Sequence, residues 1–307
     1  MNQVKTLVPS RQGPAAGHRP SQLMAWRIAV RPKTLPISFV PVLVGTSLAW
    51  LEMHALNVTV LLVALLCSAL IQVGTNLQND VGDFRRGADR HGRLGPPRAT
   101  TLGWLSPRQV QTAATMSFAL AICSGAYLVW VGGSPILFIG LASVVAGAAY
   151  TSGPLPIAYT PLGELFVLVF FGVIAVSGSY YLQVSGVNGN ALVAGALVGM
   201  LAAAVLVVNN TRDIDSDSRA GKRTLAVRLG PRFARIEYAA LVLAPFAAVP
   251  LIGGTYAWLP LLLLPKAVGL AMRFWRETPG PEMNTLLADT VQLEVGFGAL
   301  FCIAAVL

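Results

Sequence analysis

The sequence contains little charge for its length, because only 11% of its 307 residues are Asp, Glu, Lys or Arg. A soluble globular domain carries about 25%. Hydrophobic residues make up 55% of the chain, and apolar runs close to the ~20 residues that span a bilayer recur along it. These runs are apolar on every side rather than on one face, which excludes a single globular core. The pattern indicates an all-α, polytopic membrane protein.

Other absences narrow the function. The three cysteines, Cys67, Cys123 and Cys302, stand singly in apolar runs, so we interpret them as small hydrophobic residues rather than disulfide or metal partners. No GxxxxGK[ST] or GxGxxG loop occurs, which excludes a nucleotide-driven transporter of the usual kind. Segments of about ten residues with alternating polarity are also missing, which argues against an outer-membrane barrel.

The apolar runs predict about nine transmembrane helices. The expected spans are 36–52, 57–78, 109–131, 135–151, 163–184, 190–211, 235–253, 256–274 and 286–307. Two of them contain internal prolines, which membrane helices tolerate. We expect residues 1–22, which lack an apolar signal-peptide core, to be a disordered cytoplasmic tail, and residues 23–307 to form one transmembrane domain.

The basic residues predict the orientation of these helices. All 22 Lys and Arg lie before the first span, between the second and third, after the sixth, or in and after the eighth. The connections near 53–56, 132–134, 185–189 and 253–256 contain none. By the positive-inside rule the N-terminus is cytoplasmic and the C-terminus lies outside. The net charge of +9 therefore follows from topology and does not require a nucleic-acid partner.

Two polar clusters stand at the ends of apolar runs: "NLQNDVGDFRRGAD" (76–89) and "NNTRDIDSDSRAGK" (209–222). Residues three or four apart share one face of a helix. Two carboxylates and a carboxamide therefore line one stripe in each cluster, and the candidate catalytic residues are Asp80, Asp83, Asp213 and Asp217. Carboxylates near hydrocarbon are costly, so they usually mark an ion or substrate site.

The chemistry of the clusters suggests a diphosphate bridged by Mg²⁺. Convergent oxygen ligands suit this hard cation, which binds few carboxylates together with phosphate oxygens. A site for a cation alone would gain nothing from positive neighbours, whereas a diphosphate needs them. The candidate diphosphate-binding residues are Arg86, Arg98, Arg212 and Lys222. Each of these residues could instead serve only to set the topology.

These motifs resemble the two aspartate-rich motifs of the UbiA superfamily of intramembrane prenyltransferases. The segments "RPKTLPISFVPVLVGTSLAW", "GRLGPPRAT", "GKRTLAVRLG" and "NTLLADTVQLEVGFG" are similar to its 1,4-dihydroxy-2-naphthoate polyprenyltransferase branch. The resemblance implies a bundle of nine helices around a central cavity. The metal ligands it implies are Asn79, Asp80, Asp83, Asp89, Asp213 and Asp217. The broad motif would place an acid at 87, where this chain has Gly87, and the nearest acid is Asp89.

The activity implied by the resemblance is a Mg²⁺-dependent transfer of a polyprenyl group from its diphosphate to 1,4-dihydroxy-2-naphthoate. The prenyl group replaces the carboxylate, so CO₂ leaves and a demethylmenaquinol forms for menaquinone biosynthesis. We expect the enzyme in the inner membrane of a bacterium, with its lipid-soluble tail exiting into membrane lipid. Weaker candidates for substrate binding are Arg31, Lys33, Asn76, Asn209 and Asn210.

Three alternatives remain open from the sequence. The acceptor could be another aromatic compound, such as 4-hydroxybenzoate or homogentisate. A divalent-cation transporter could use the acidic clusters as its pathway, although the interleaved basic residues argue against it. A noncatalytic prenyl-lipid binding protein is disfavoured by the intact aspartates. Glu164 and Lys266 are charges within predicted spans, and they are either functional or interfacial.

Overall fold

A computed structural model describes residues 20–88, 94–253 and 258–307. Those ranges contain helices and turns and no β-strand, which confirms the all-α prediction. The α-helices are α1 (Gln22–Val30), α2 (Leu35–Met53), α3 (Val58–Arg86), α4 (Pro107–Ala149), α5 (Gly163–Leu168), α6 (Ala175–Val184), α7 (Gly189–Arg212), α8 (Ile214–Arg219), α9 (Leu225–Ala248), α10 (Leu264–Arg276) and α11 (Met283–Val306). A π-helical turn, Val169–Ile174, joins α5 to α6.

Seven helical segments among these described residues are long and apolar enough to cross a membrane. The predicted span 109–131 and most of the predicted span 135–151 belong to the single segment α4, which ends at Ala149 and is broken at Gly133 by a non-helical backbone (φ 69°, ψ −156°). The predicted span 256–274 corresponds to a 3₁₀ turn, Leu259–Leu263, followed by α10. The number nine is therefore not confirmed and stays a prediction.

Helix α7 forms the centre of the bundle, where it packs against α9, α11, α5 and the π-helical turn. Close approach is possible because glycines meet at the contact. A Cβ on Gly172 would lie 2.3 Å from the carbonyl oxygen of Gly195, and one on Gly199 would lie 2.3 Å from that of Leu168. Small residues commonly let membrane helices approach in this way. The contact holds α5 and α7 side by side, so their polar ends share one site.

The ends of α3 and α7 carry the two polar clusters. Asn57 caps the start of α3 by accepting from the Val60 N–H at 3.1 Å, and Gly87 ends the helix in the left-handed region (φ 70°) that favours glycine. The first cluster thus extends α3 beyond its apolar run. Helix α7 stops at Arg212, and α8 begins two residues later.

The junction of α1 and α2 lies beside α3. Ala25 and Ala29 of α1 pack against Leu77 and Val81 of α3. Arg31 leaves α1 with φ 57°, a region uncommon for residues other than glycine. The chain turns sharply there, which brings the segment after α1 to the same face of α3 as the first cluster.

Candidate active site

The first cluster presents its two aspartates to different surroundings. Asp83 lines a cavity between the helices. Asp80 is turned toward the loop before α4, where it accepts hydrogen bonds from the Ala99 N–H at 3.2 Å, the Thr100 N–H at 3.4 Å and the Thr100 hydroxyl. With 1% of its surface exposed, Asp80 anchors that loop and does not line the cavity.

Asp83 is surrounded by positive and polar groups. Its Oδ2 lies 2.8 Å from Arg98 Nη2, and its Oδ1 accepts from the Tyr159 hydroxyl at 3.3 Å. Lys222 Nζ lies 3.9 Å from the same Oδ1. A buried carboxylate is tolerated only when it is paired and hydrogen-bonded, as it is here.

The second cluster forms where the helix is interrupted. Asp213 separates α7 from α8 with non-helical dihedrals (φ −99°, ψ 11°). One turn later, Asp217 binds Lys222 in two ways: its Oδ1 lies 3.0 Å from Lys222 Nζ, and its carbonyl accepts from the Lys222 N–H at 2.9 Å. The chain after α8 is thus folded back, and Lys222 stands between Asp83 and Asp217.

Arg212 holds this interruption in place. Its guanidinium lies 2.6 Å from Asp213 Oδ2 and donates to Asn209 Oδ1 at 2.7 Å and to Asn284 Oδ1 at 2.8 Å. Asn284 in turn donates to the Leu94 carbonyl at 2.9 Å. Arg212 is 1% exposed and does not line the cavity. Its contacts support the geometry of Asp213 and Asn209.

The electrostatics of the site follow from burial and crowding. Burial raises the pKa of the Asp217 carboxyl, the Lys222 ammonium lowers it, and Asp213 and Asp83 raise it. Burial and the negative charge of Asp83 also raise the pKa of the Tyr159 hydroxyl. Asp213 and Asp83 are therefore close enough to repel the Asp217 carboxylate, and Lys222 offsets that repulsion.

The cavity has a volume of about 220 Å³ and two kinds of wall. Its polar wall includes Arg31, Thr34, Gln72, Asn79, Asp83, Arg98, Thr151, Asn209, Asn210, Asp213, Asp217 and Lys222. Its apolar wall includes Ile37, Val167, Phe171, Ala202, Val205, Leu206 and Leu287. The arrangement offers charged groups for an anion beside a surface suited to hydrocarbon.

Nine of the predicted site residues line this cavity: Asn79, Asp83, Asp213, Asp217, Arg98, Lys222, Arg31, Asn209 and Asn210. Four others that are described, besides Asp80, are not among its lining: Arg86, Arg212, Asn76 and Lys33. Arg86 donates to the carbonyls of Thr151 and Gly153, and Asn76 donates to the Val30 carbonyl at 3.0 Å. Asp89 lies outside the described residues.

Two residues of the site, Tyr159 and Thr151, were not predicted from the sequence. Tyr159 touches Asp83, and the Arg86 guanidinium and Lys222 ammonium each lie 5.2 Å from the centre of its ring. The Thr151 hydroxyl donates to Asn79 Oδ1 at 2.7 Å. Both belong to the polar connection after α4, "YTSGPLPIAYTPLGE". The density of Tyr and Thr in that connection is the only feature that could have drawn attention to it.

The donor set suits Mg²⁺. Among the cavity-lining residues, Asp83, Asp213 and Asp217 offer carboxylate oxygens, and Asn79 and Asn209 offer carboxamide oxygens. An all-oxygen set with few carboxylates is what this ion prefers when phosphate oxygens complete its shell. Within the described residues no group of three or more His, Cys, Asp or Glu is close enough to hold a metal by itself.

The chain is similar to proteins of known activity. The chain is 37% identical to 1,4-dihydroxy-2-naphthoate octaprenyltransferase of Escherichia coli over 283 residues, covering 89% of this chain and 92% of that protein. It is 35% identical to the protein of the same name from Bacillus subtilis over 285 residues, covering 91% and 90%.

A solved structure shares the fold. The UbiA homologue from Archaeoglobus fulgidus bound to GPP and Mg²⁺ superposes with a TM-score of 0.65 at 17% identity, covering 91% of this chain and 99% of that one. The UbiA prenyltransferase family matches residues 38–288, which is most of the chain. From its sequence, its apolar helices and its fold, the chain is an integral membrane protein that belongs to the UbiA prenyltransferase family.

Proposed function

We propose that this enzyme transfers a polyprenyl group from polyprenyl diphosphate to 1,4-dihydroxy-2-naphthoate in menaquinone biosynthesis. The C–O bond of the diphosphate breaks, and a bond forms between the prenyl C1 and the ring carbon that bore the carboxylate. CO₂ and diphosphate leave, and a demethylmenaquinol remains. The observation that carries the proposal is one cavity with carboxylates from both clusters, Arg98 and Lys222 on one wall and hydrocarbon on the other. The names of the curated relatives support the naphthoate acceptor.

The residues that would hold Mg²⁺ are Asp83, Asp213, Asp217, Asn79 and Asn209. Asp80 instead holds the loop before α4, and Asp89, the other acid of the motif, lies outside the described residues. When bound, the metal would neutralise charge on the diphosphate oxygens as the leaving group departs. Support comes from the oxygen donors of the cavity and from the solved homologue with GPP and Mg²⁺.

Arg98 and Lys222 would bind the diphosphate oxygens directly. Both pair with Asp83, so they already lie beside an acidic side chain of the cavity. With Asp83 serving as a metal ligand, Arg98 and Lys222 would bind the departing diphosphate. Positive groups placed in advance where negative charge develops are the main source of rate acceleration in such sites. Arg86 and Arg212 would act indirectly, through Tyr159 and Asp213.

The apolar wall would exclude water from the allylic cation formed at C1. Phe171 and Tyr150 line the cavity, and Phe166 lies 5.7 Å from Tyr150 between ring centres. Aromatic faces stabilise a neighbouring cation, and water exclusion protects a reactive intermediate from hydrolysis. The polyprenyl tail would leave this wall toward membrane lipid.

We also propose a bacterial inner-membrane location, with both aspartate clusters on the cytoplasmic side and the C-terminus outside. The distribution of Lys and Arg supports this orientation. The naphthoate and the diphosphate head group of the donor would then reach the polar wall from the cytoplasmic side, whereas the prenyl tail and the product stay in the bilayer.

The test uses purified protein in nanodiscs with Mg²⁺, a radiolabelled polyprenyl diphosphate and 1,4-dihydroxy-2-naphthoate. We expect lipid-soluble product and one CO₂ for each prenyl group transferred, with both abolished by EDTA and restored by Mg²⁺. 4-Hydroxybenzoate serves as the control acceptor. If only 4-hydroxybenzoate gives product, prenyl transfer stands and the naphthoate acceptor is wrong. Metal flux through proteoliposomes without product from any acceptor would replace the enzyme with a transporter.

A further inference from the structure

Gln72 is a buried amide on the cavity wall. It lies on α3, it lines the cavity, and only 8% of its surface is exposed. Its Oε1 is buried and accepts no hydrogen bond from any residue in the described part of the chain. Buried polar atoms of a native site nearly always have a partner, so an acceptor without one, on a residue that lines a cavity, indicates a donor on the ligand.

Neighbouring residues fix which atom of the amide is left without a partner. Gln72 Nε2 contacts Thr34 Oγ1 at 3.5 Å, and Asn76 Nδ2 donates to the same oxygen at 3.1 Å. The single hydrogen of the Thr34 hydroxyl is used by the Arg31 carbonyl at 3.0 Å. With the amide reversed, Gln72 Oε1 would face Thr34 Oγ1 with no hydrogen between them. Thr34 therefore holds the nitrogen, and Oε1 is the amide atom without a partner.

Gln72 and Asp83 mark two depths of one cavity. They lie eleven residues apart on the same helix, which corresponds to roughly 16 Å at the rise of an α-helix. Ile37, Val167 and Phe171 of the apolar wall line the same cavity. A diphosphate at Asp83 leaves room beside this wall for a flat bicyclic ring that reaches toward Gln72.

Among the reactants, only one group matches Gln72. An amide oxygen accepts hydrogen bonds and cannot donate them. The ionised diphosphate, the carboxylate of the acceptor and the hydrocarbon tail all lack a donor. The ring hydroxyls of the aromatic acceptor are the donors that remain. Resting on the proposed function, we propose that Gln72 Oε1 accepts a hydrogen bond from one ring hydroxyl of the acceptor, and that this contact determines the preference for a dihydroxylated ring.

The experiment compares 1,4-dihydroxy-2-naphthoate with 1-hydroxy-2-naphthoate and 4-hydroxy-2-naphthoate on wild type and Gln72→Met. Turnover is measured for each, and the two monohydroxy compounds are also measured as competitive inhibitors, so that slow chemistry does not hide binding. Methionine keeps the length of glutamine and lacks the acceptor oxygen. We expect kcat/KM for the dihydroxy acceptor to fall about 10- to 100-fold, the range for one buried hydrogen bond.

The same variant should bind the analogue without the recognised hydroxyl as well as wild type does, within about twofold. The KM for polyprenyl diphosphate should not change. Gln78→Met is the matched control, because Gln78 lies on the same helix, is also buried, and has partners in Ser152 and Gln111 outside the cavity lining. This control should retain the wild-type preference among the three acceptors.

Three outcomes overturn the inference. The first is an active Gln72→Met enzyme that keeps the full wild-type preference. The second is a variant that loses all three acceptors and the prenyl donor equally, which would mark a purely structural residue. The third outcome needs no variant. If the wild-type enzyme binds all three naphthoates equally, no group in its site recognises a ring hydroxyl. In each case the proposed function stands, whereas wild type that makes no product from the dihydroxynaphthoate overturns both.

Discussion

The two aspartate-rich clusters contain the same residue types, but the helices that carry them differ. In the first, α3 continues unbroken through Asp80 and Asp83 to Gly87, so the two carboxylates project from one regular helix. In the second, the helix stops at Arg212 and restarts after Asp213. The unbroken helix presents one aspartate to the cavity and gives the other to a loop, whereas the broken one presents both Asp213 and Asp217.

This difference shows that two aspartates of one motif can have different roles. Asp80 ties the segment that carries Arg98 to α3, through the neighbouring Ala99 and Thr100. Asp83 then receives Arg98 from that segment at 2.8 Å. Asp80 therefore positions the segment that carries Arg98, and Asp83 contacts the Arg98 guanidinium. In the second cluster, Arg212 takes the positioning role, which leaves both aspartates on the cavity wall.

The largest expected effect is on the cavity-facing aspartates. Asp83→Asn and Asp217→Asn should each lower kcat/KM on the order of 1,000-fold, because several kcal/mol of metal-held charge stabilisation are lost. Turnover with saturating Mg²⁺ is measured on protein that remains monodisperse in detergent. Asp215→Asn is the matched control, since Asp215 is exposed on α8, and it should behave like wild type. Near-normal turnover of Asp83→Asn would refute the metal site.

An intermediate effect is expected at Asp80. Asp80→Ala should lower the free energy of unfolding by about 1–3 kcal/mol, because the Ala99 and Thr100 N–H groups lose their buried acceptor. The Mg²⁺ concentration for half-maximal activity of the folded fraction should stay near the wild-type value. Thermal unfolding and Mg²⁺ titration measure the two effects separately. A large rise in the required Mg²⁺ would instead make Asp80 a ligand, equal to Asp83.

The smallest effect is expected at Tyr159. Tyr159→Phe removes the 3.3 Å hydrogen bond to Asp83 and keeps the ring beside Arg86 and Lys222. Its KM for polyprenyl diphosphate should rise about 2- to 10-fold, in line with one hydrogen bond of 0.5–1.5 kcal/mol. Tyr159→Leu, which also removes the ring, should raise it further. Steady-state kinetics against both substrates test this, and a change in the acceptor KM alone would place Tyr159 elsewhere in the mechanism.

Much of the fold was predictable because hydropathy is a local property. The expected spans 36–52 and 163–184 lie within α2 and within α5 to α6 with its π-helical turn, since an apolar run in a bilayer must satisfy its own backbone by forming a helix. The stripe predicted for Asp213 and Asp217 assumed a continuous helix, whereas the helix stops at Arg212 and restarts after Asp213. Both aspartates nevertheless line the cavity. The predicted spans 109–131 and 135–151 leave a gap between them, and the break at Gly133 lies in that gap.

The remaining features depend on contacts between distant segments. Tyr159 reaches Asp83, 76 residues away in the chain, and Asn284 reaches Arg212 across 72. No periodicity or motif spacing encodes such pairs. Gln72 is the sharpest case, because a glutamine in an apolar run becomes meaningful only when Thr34 is known to occupy its nitrogen.

The sequence by itself determined that the chain is a helical membrane protein with two acidic clusters at helix ends, because composition and local spacing are enough for both. Only the tertiary structure decided which aspartates and arginines line the cavity, and which buried acceptor atoms lack a partner among the described residues. Those choices depend on which neighbours satisfy each buried polar group. A neighbour is a property of packing in three dimensions and not of order along the chain.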